Sequence, residues 1–236
     1  MHTILIQGAM KTEINDLICK MPGGLHRTVN GYEFYETKEP ETGTRIIISL
    51  THMGIMNACI ATQLGIHKYS PDCVINQGTA GGHTPDMHVG DIVIGETAIY
   101  INNTRSPAKK SGEGSNALLW LPDDDSLKPY RASEELVDIA RKISFDANIL
   151  CGRLGSGDIY SREADRIALL HSQLGELCED MESAAVYKTC EAFNVPVIGI
   201  RIISNNELTC EAEDFARAEK MLQKYIYKYI QVLCKI

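Results

Sequence analysis

The stretch Val197-Ile198-Gly199-Ile200-Arg201-Ile202-Ile203 is apolar at every position but Arg201. It shows no alternation of polar and apolar residues, which predicts a strand covered by protein on both faces. Helical patterns flank it over 182–193 and 213–234. In the second of these, Ala218, Leu222, Tyr225, Ile226, Tyr229 and Leu233 fall on one stripe at helical spacing. Working outward, short β-branched runs at 3–6, 45–50, 73–76 and 91–94 alternate with helix-like segments at 11–19, 57–68, 133–144 and 162–171. Doubly covered strands alternating with helices predict an α/β domain.

The chain has 236 residues, 44% hydrophobic and 23% charged, with a formal net charge of −8. That length and balance suit one domain over 1–236 with a sizeable core. The acidic balance and the lack of a dense Lys/Arg stripe exclude a phosphate-backbone binder, so no nucleic-acid partner is expected. No run is long and apolar enough to span a membrane, and residues 1–10 lack the basic flank of a signal peptide. The eight cysteines form no C-x-x-C pair, which predicts reduced thiols and a cytoplasmic location rather than disulfides or a zinc site. Residues 102–131 break the pattern. Pro107, Lys109, Lys110, Trp120 and the run Asp123, Asp124 and Asp125 predict a long loop, serving as a lid, a binding loop, a subunit contact or a plain surface excursion.

Polar or glycine-rich clusters follow the apolar runs, at the strand ends where open α/β sheets bind ligands. Gly8-Ala9-Met10-Lys11-Thr12-Glu13 puts Glu13 in a first helical turn, which by itself reads as a carboxylate favoured by the helix dipole. The turn lacks G-x-G-x-x-G, so a dinucleotide site is not supported. Asn76-Gln77-Gly78-Thr79-Ala80-Gly81-Gly82 and Gly155-Ser156-Gly157-Asp158-Ile159-Tyr160 each read alone as turns that let backbone approach a ligand. Glu179-Asp180-Met181-Glu182 is either a solvated acidic helix start or a set of carboxylates paired with a cation or a diol. Arg201 is the hardest to dismiss: a guanidinium in an apolar strand needs an anionic partner, with Glu13 and the acidic run as candidates.

Together and in this order, these segments resemble the nucleoside phosphorylase/nucleosidase family, most closely its methylthioadenosine/S-adenosylhomocysteine nucleosidase branch. The similarity runs from Gly8-Ala9-Met10 through Arg201-Ile202-Ile203-Ser204, with Asp180-Met181-Glu182-Ser183-Ala184-Ala185 and Ser156-Gly157-Asp158 its most diagnostic parts. The resemblance implies a three-layer α/β/α sandwich around a central mixed, partly barrel-like sheet, and a homodimer. It implies an N-ribosyl hydrolase acting on a small-molecule purine nucleoside, without a metal or other cofactor. Glu13 matches the base that activates water, and Thr79 stands where the family usually has Ser. Arg201 matches the strand arginine near base and water. Met181 and Glu182 match the ribose contacts, with Glu182 accepting from the 2′- and 3′-hydroxyls, and Tyr160 matches an aromatic on the purine. Met10 and Gly81, from the same segments, count among the substrate-binding residues. The chemistry is consistent with that assignment, because breaking a ribosyl C–N bond passes through an oxocarbenium-like state that needs nearby negative charge and a held water.

Two departures bear on the reaction. Hexameric phosphorylases of the family carry Arg three residues before the loop Ser/Thr, whereas this chain has Asn76, which favours water over phosphate. The nucleosidase branch has Asp after Ile-Ser, where it protonates the purine N7. Here the residue is Asn205, which hydrogen-bonds but delivers no proton. Three outcomes stay open: a 6-oxopurine substrate, adenine chemistry with the proton from Glu207 or a water, or a storage-type relative that binds nucleoside without turnover. A phosphate-dependent phosphorylase is the alternative enzyme.

Overall fold

The computed structural model describes residues 2–21, 23–122 and 128–236. In chain order the elements are β1 (Thr3–Gly8), α1 (Lys11–Lys20), β2 (Leu25–Val29), β3 (Tyr32–Lys38), β4 (Arg45–Leu50), α2 (Ile55–Tyr69), β5 (Cys73–Gly82), β6 (Ile92–Tyr100), β7 (Thr104–Arg105), β8 (Leu121–Pro122), β9 (Tyr130–Arg131), α3 (Glu134–Arg141), β10 (Ile149–Ser156), α4 (Ala164–Leu174), β11 (Glu176–Asp180), α5 (Ser183–Phe193), β12 (Val197–Asn205) and α6 (Phe215–Leu233). The α/β expectation holds.

One mixed sheet runs β11-β10-β6-β12-β5-β1-β4-β3-β2, and β11 also pairs with β5. That second pairing closes β5, β12, β6, β10 and β11 into a barrel-like ring. Within each parallel strand, successive side chains go to opposite faces, and both faces are dry. Ile4 and Ile6 pack with α1, α3 and α6 on one side, whereas Leu5 packs with α2 and α5 on the other. This produces the three layers and explains why the apolar runs carry no period of two. The stripe of α6 is buried as expected, from Ala218 to Leu233.

Several elements differ from the sequence reading. The glycine-rich run 76–82 is no turn: β5 continues through Gly82 because β12 and β11 both bond to it. The hairpin β2–β3 went unread because its residues are mostly polar and β2 is largely exposed. Its signal was local: Asn30-Gly31, with φ of 48° and 89°, is the dipeptide of a tight hairpin turn. Strands β10 and β11 also escaped notice, the first being rich in small and polar residues and the second acidic. The expected loop over 102–131 holds the short β7–β8 pair and β9, which bonds to β6. Asp123, Asp124 and Asp125 lie outside the described residues.

Candidate active site

The C-terminal ends of β1, β5, β10, β11 and β12 meet around a cavity of about 300 Å³. Met10, Glu13, Thr79, Gly81, Tyr160, Met181, Glu182 and Asn205 all line it, drawn together from segments far apart in sequence. Arg201, the remaining expected site residue, does not.

Glu13 stands in the first turn of α1 and is 3% exposed. Its Oε2 accepts from the N–H groups of Ala9 (2.8 Å) and Met10 (3.1 Å). Its Oε1 accepts from Thr79, from the backbone N–H at 2.9 Å and from Oγ1 at 3.3 Å. Gly78 permits this approach, since a Cβ there would meet Glu13 Oε1 at 2.8 Å. Burial raises the Glu13 carboxyl above its ordinary value, outweighing these hydrogen bonds and the charge of Arg201. A buried, oriented carboxylate of raised basicity suits a general base.

Glu182 sits between β11 and α5, across from the N-terminus of α2. Its Oε1 accepts from Gly54 N–H at 3.0 Å, while Asp158 Oδ1 accepts from Ile55 N–H at 2.8 Å. Two carboxylates thus cap the positive end of α2. Burial, and then the charge of Asp180, push Glu182 up to about 8.

Arg201 is 1% exposed and hydrogen-bonded through all three of its nitrogens. Its Nε donates to Asp180 Oδ2 at 2.8 Å, and its Nη1 donates to the carbonyls of Asn76 and Ile200, both at 3.1 Å. Its Nη2 donates to Asn76 Oδ1. The guanidinium therefore lies behind the cavity wall and acts on Glu13 and Glu182 as a charge at a distance. Burial opposes the Asp180 charge, but Arg201, the Ser183 and Ser156 hydroxyls and the Glu182 N–H hold it below the usual carboxylate range.

The acidic run is thus a buried wall, not a solvated helix start: Glu179, Asp180 and Glu182 are each under a tenth exposed. Asp180 was hidden among its neighbours. The signal for it was the unpaired Arg in an apolar strand, which demanded one buried carboxylate without saying which. Met53 and Phe215 also line the cavity, and nothing in their local sequence marks them. Tyr160 is half exposed and donates to Glu213 at 3.3 Å. Glu207, the expected alternative proton source, is paired with Arg162 at 3.2 Å. Among the described residues the lining includes four carboxylates and no Lys or Arg.

Residues 3–236 match the family model of the Phosphorylase superfamily. A 5′-methylthioadenosine/S-adenosylhomocysteine nucleosidase of Geobacillus kaustophilus is 31% identical over 204 residues, covering 85% of this chain and 83% of the relative. A crystal structure of the nucleosidase of that name from Neisseria meningitidis, in complex with methylthio-immucillin-A, aligns with a TM-score of 0.82 at 24% identity, over 98% of this chain and 100% of the other. The futalosine hydrolase of Helicobacter pylori aligns at 0.81 and 20% identity, over 98% of each chain. The two structures share the fold. With its family model matched over nearly its whole length, this chain belongs to the phosphorylase superfamily.

Proposed function

We propose that this protein is a purine nucleosidase, hydrolysing the N-glycosidic bond to free base and a ribose derivative. Its nucleoside is of the kind named in its relatives, a 5′-methylthioadenosine or S-adenosylhomocysteine type, or a 6-oxopurine counterpart. One observation carries the choice of hydrolysis: the cavity pairs Glu13 with Glu182 and has no cation on its described lining. Phosphate dianion would enter with no guanidinium or ammonium on that lining to receive it, whereas water enters without that cost.

In this reading Glu13 takes a proton from water as the water oxygen bonds to C1′. The C1′–N bond breaks, its electron pair leaves with the purine, and the purine takes its proton from a second water. Glu182 accepts hydrogen bonds from the 2′- and 3′-hydroxyls and, with Glu13, adds negative potential where the oxocarbenium-like charge develops. Thr79 orients Glu13, Met181 packs on the ribose, and the Tyr160 ring covers the base above Gly81. Asn205 holds the purine. Met10, Met53 and Phe215 offer apolar surface to an alkylthio group at C5′. Asn205 also supports a second reading, a nucleoside-binding relative with weak turnover, because a carboxamide supplies no proton to the leaving base.

Base release from a nucleoside panel, with and without phosphate, tests the proposal. Turnover is expected without phosphate, and Glu13→Gln should lower it by about 10²–10⁴-fold while nucleoside still binds. Phosphate-dependent release of ribose 1-phosphate would replace hydrolysis with phosphorolysis.

A homodimer belongs to the same proposal. Met53, Met56 and Ile60 are 58%, 77% and 45% exposed at the start of α2, forming an apolar stripe that continues from the cavity mouth. A partner covering it would also cover the substrate, and light scattering in solution would detect the pair. We place the protein in the cytoplasm from its cysteine usage. No described helix is long and apolar enough to cross a membrane.

A further inference from the structure

Arg166, in the first turn of α4, makes the same demand for an anion as Arg201, but among the described residues nothing meets it. The residue is 6% exposed, yet no described residue gives its guanidinium a hydrogen bond or an ion pair. A buried guanidinium keeps its charge and is costly without an anionic partner. Arg166 lines a groove of about 750 Å³ between α4 and the segment joining β7 to β8. This groove shares no lining residue with the catalytic cavity.

Further donors stand at the same place. The first hydrogen bond of α4 runs from Ile167 N–H to the Glu163 carbonyl at 3.0 Å, which leaves the N–H groups of Ala164, Asp165 and Arg166 without a helical partner. The Glu163 side chain does not cap them. Their partial positive charge therefore adds to that of Arg166. On the facing wall Asn116 Oδ1 accepts from Leu118 N–H at 3.0 Å, so its NH₂ group is the end left for a ligand.

The rest of that wall is apolar. A single 3₁₀ turn, Ala117–Leu119, is closed by bonds from Leu119 N–H to the Asn116 carbonyl and from Trp120 N–H to the Ala117 carbonyl, both at 3.1 Å. It sets Ala117, Leu118 and Trp120 along the groove, where Leu118 is 40% exposed. Such a surface suits the apolar body of an organic ligand. Glu163 and Asp165 also line the groove, and both are exposed. Two carboxylates beside one guanidinium count against a dianion and leave a single negative charge as the better match.

We propose that this groove is a second binding site, which takes a small organic monocarboxylate. The carboxylate pairs with the Arg166 guanidinium and the N-terminus of α4, and the apolar body lies on Leu118 and Trp120. The planar fork of an arginine matches a carboxylate through two parallel hydrogen bonds. A bound anion also removes the cost of leaving Arg166 buried alone. The segment 102–131 is then a binding loop, one of the roles its sequence allows.

Trp120 is the only tryptophan in the chain, so its fluorescence reports on this groove. Titration of the full chain with hexanoate, hexanamide and inorganic phosphate tests the assignment. Hexanoate is expected to change the emission saturably and to bind about 10- to 100-fold more tightly than hexanamide, the scale of one hydrogen bond to a charged group. Phosphate should bind more weakly than hexanoate, and adenosine, offered to the catalytic cavity, should not displace it. In Arg166→Met the affinity for hexanoate should fall to that for hexanamide. Without ligand the same variant should unfold at a higher urea concentration than the parent, because an unpaired buried charge is gone. Equal binding of hexanamide, tighter binding of phosphate, displacement by adenosine, a hexanoate preference surviving in Arg166→Met, or an unchanged Trp120 signal would each overturn the proposal. A lower urea midpoint in Arg166→Met would do the same, since it would mean that the protein itself partners the guanidinium.

Discussion

Glu182 occupies a place where a carboxylate is unstable, for the same reason that it is useful there. Burial, followed by the Asp180 charge, raises it from 4.5 to about 8. Between those values the folded protein keeps a proton that the unfolded chain has released, so the native state binds more protons and stability falls as pH rises. The contribution is complete below the lower value and is lost as pH climbs through the upper one. Over the window it amounts to roughly 5 kcal/mol, at about 1.4 kcal/mol per unit. Glu182→Gln removes the charge yet keeps an acceptor for Gly54 N–H, which Oε1 now receives at 3.0 Å. It gives up the longer contact from Met181 N–H at 3.3 Å and adds a buried amide to satisfy. The net gain expected is therefore about 1–3 kcal/mol near pH 9, or roughly 2–4 °C in Tm per kcal/mol at this chain length. The same variant should lose about 10²–10⁴-fold in base release, since two hydroxyls lose a charged acceptor. Urea unfolding of both proteins at about pH 9 and about pH 4 measures the effect. A Gln variant less stable than the parent at the higher pH, or an advantage equal at both, would refute the reasoning.

Other outcomes follow from the same geometry. Because Glu182 must be ionised to grip the diol, kcat/KM should climb with pH and level off above about 8, as a pH–rate profile would record. Arg201→Met leaves Asp180 buried and unpaired, so the urea midpoint should drop by the equivalent of about 3–5 kcal/mol, with partial recovery in Arg201→Met/Asp180→Asn. Asn205→Asp restores a group able to pass a proton to the purine. Turnover of adenine nucleosides should rise about tenfold or more by chromatography of released base, and no gain would mean proton delivery does not depend on this position.

What the sequence made legible follows from how local each signal is. The strands β1, β4 and β12 and the helix α6 were readable because their burial repeats within a few residues, on both faces for the strands and along one stripe for the helix. Glu13, Thr79, Glu182 and Asn205 entered as candidates through resemblance. Alone, Glu13 reads as a helix-start carboxylate, Thr79 as part of a turn, Glu182 as either a solvated helix start or a paired carboxylate, and nothing local marks Asn205. The extent of β5 was not readable, because its glycines look like a turn until β11 and β12 are known to bond to it. Whether Glu179 and Asp180 are solvated or paired was not readable for a similar reason. The groups paired with them, His83 just past the end of β5 and Arg201 in the middle of β12, come from other parts of the chain. An acidic run declares its charge locally and its environment only in three dimensions.

Position 76 shows how one side chain can set the reaction class without touching the substrate. A cation there would stand beside Arg201 with Asp180 as the nearest buried counter-charge, and an added phosphate would be needed to balance the pair. Asn76 instead accepts from Arg201 with both its carbonyl and its side-chain oxygen. The one guanidinium behind the wall is then neutralised within the protein, by Asp180 and by carbonyl dipoles, before any ligand arrives. What remains facing the cavity is acceptor-rich: Glu13, Glu182 and Glu179. Such a surface repels a dianion and welcomes groups that bring their own hydrogens, namely a water and a pair of vicinal hydroxyls. In the proposed reading, hydrolysis and diol binding both follow from a single electrostatic arrangement, in which the buried arginine at the site is occupied from behind.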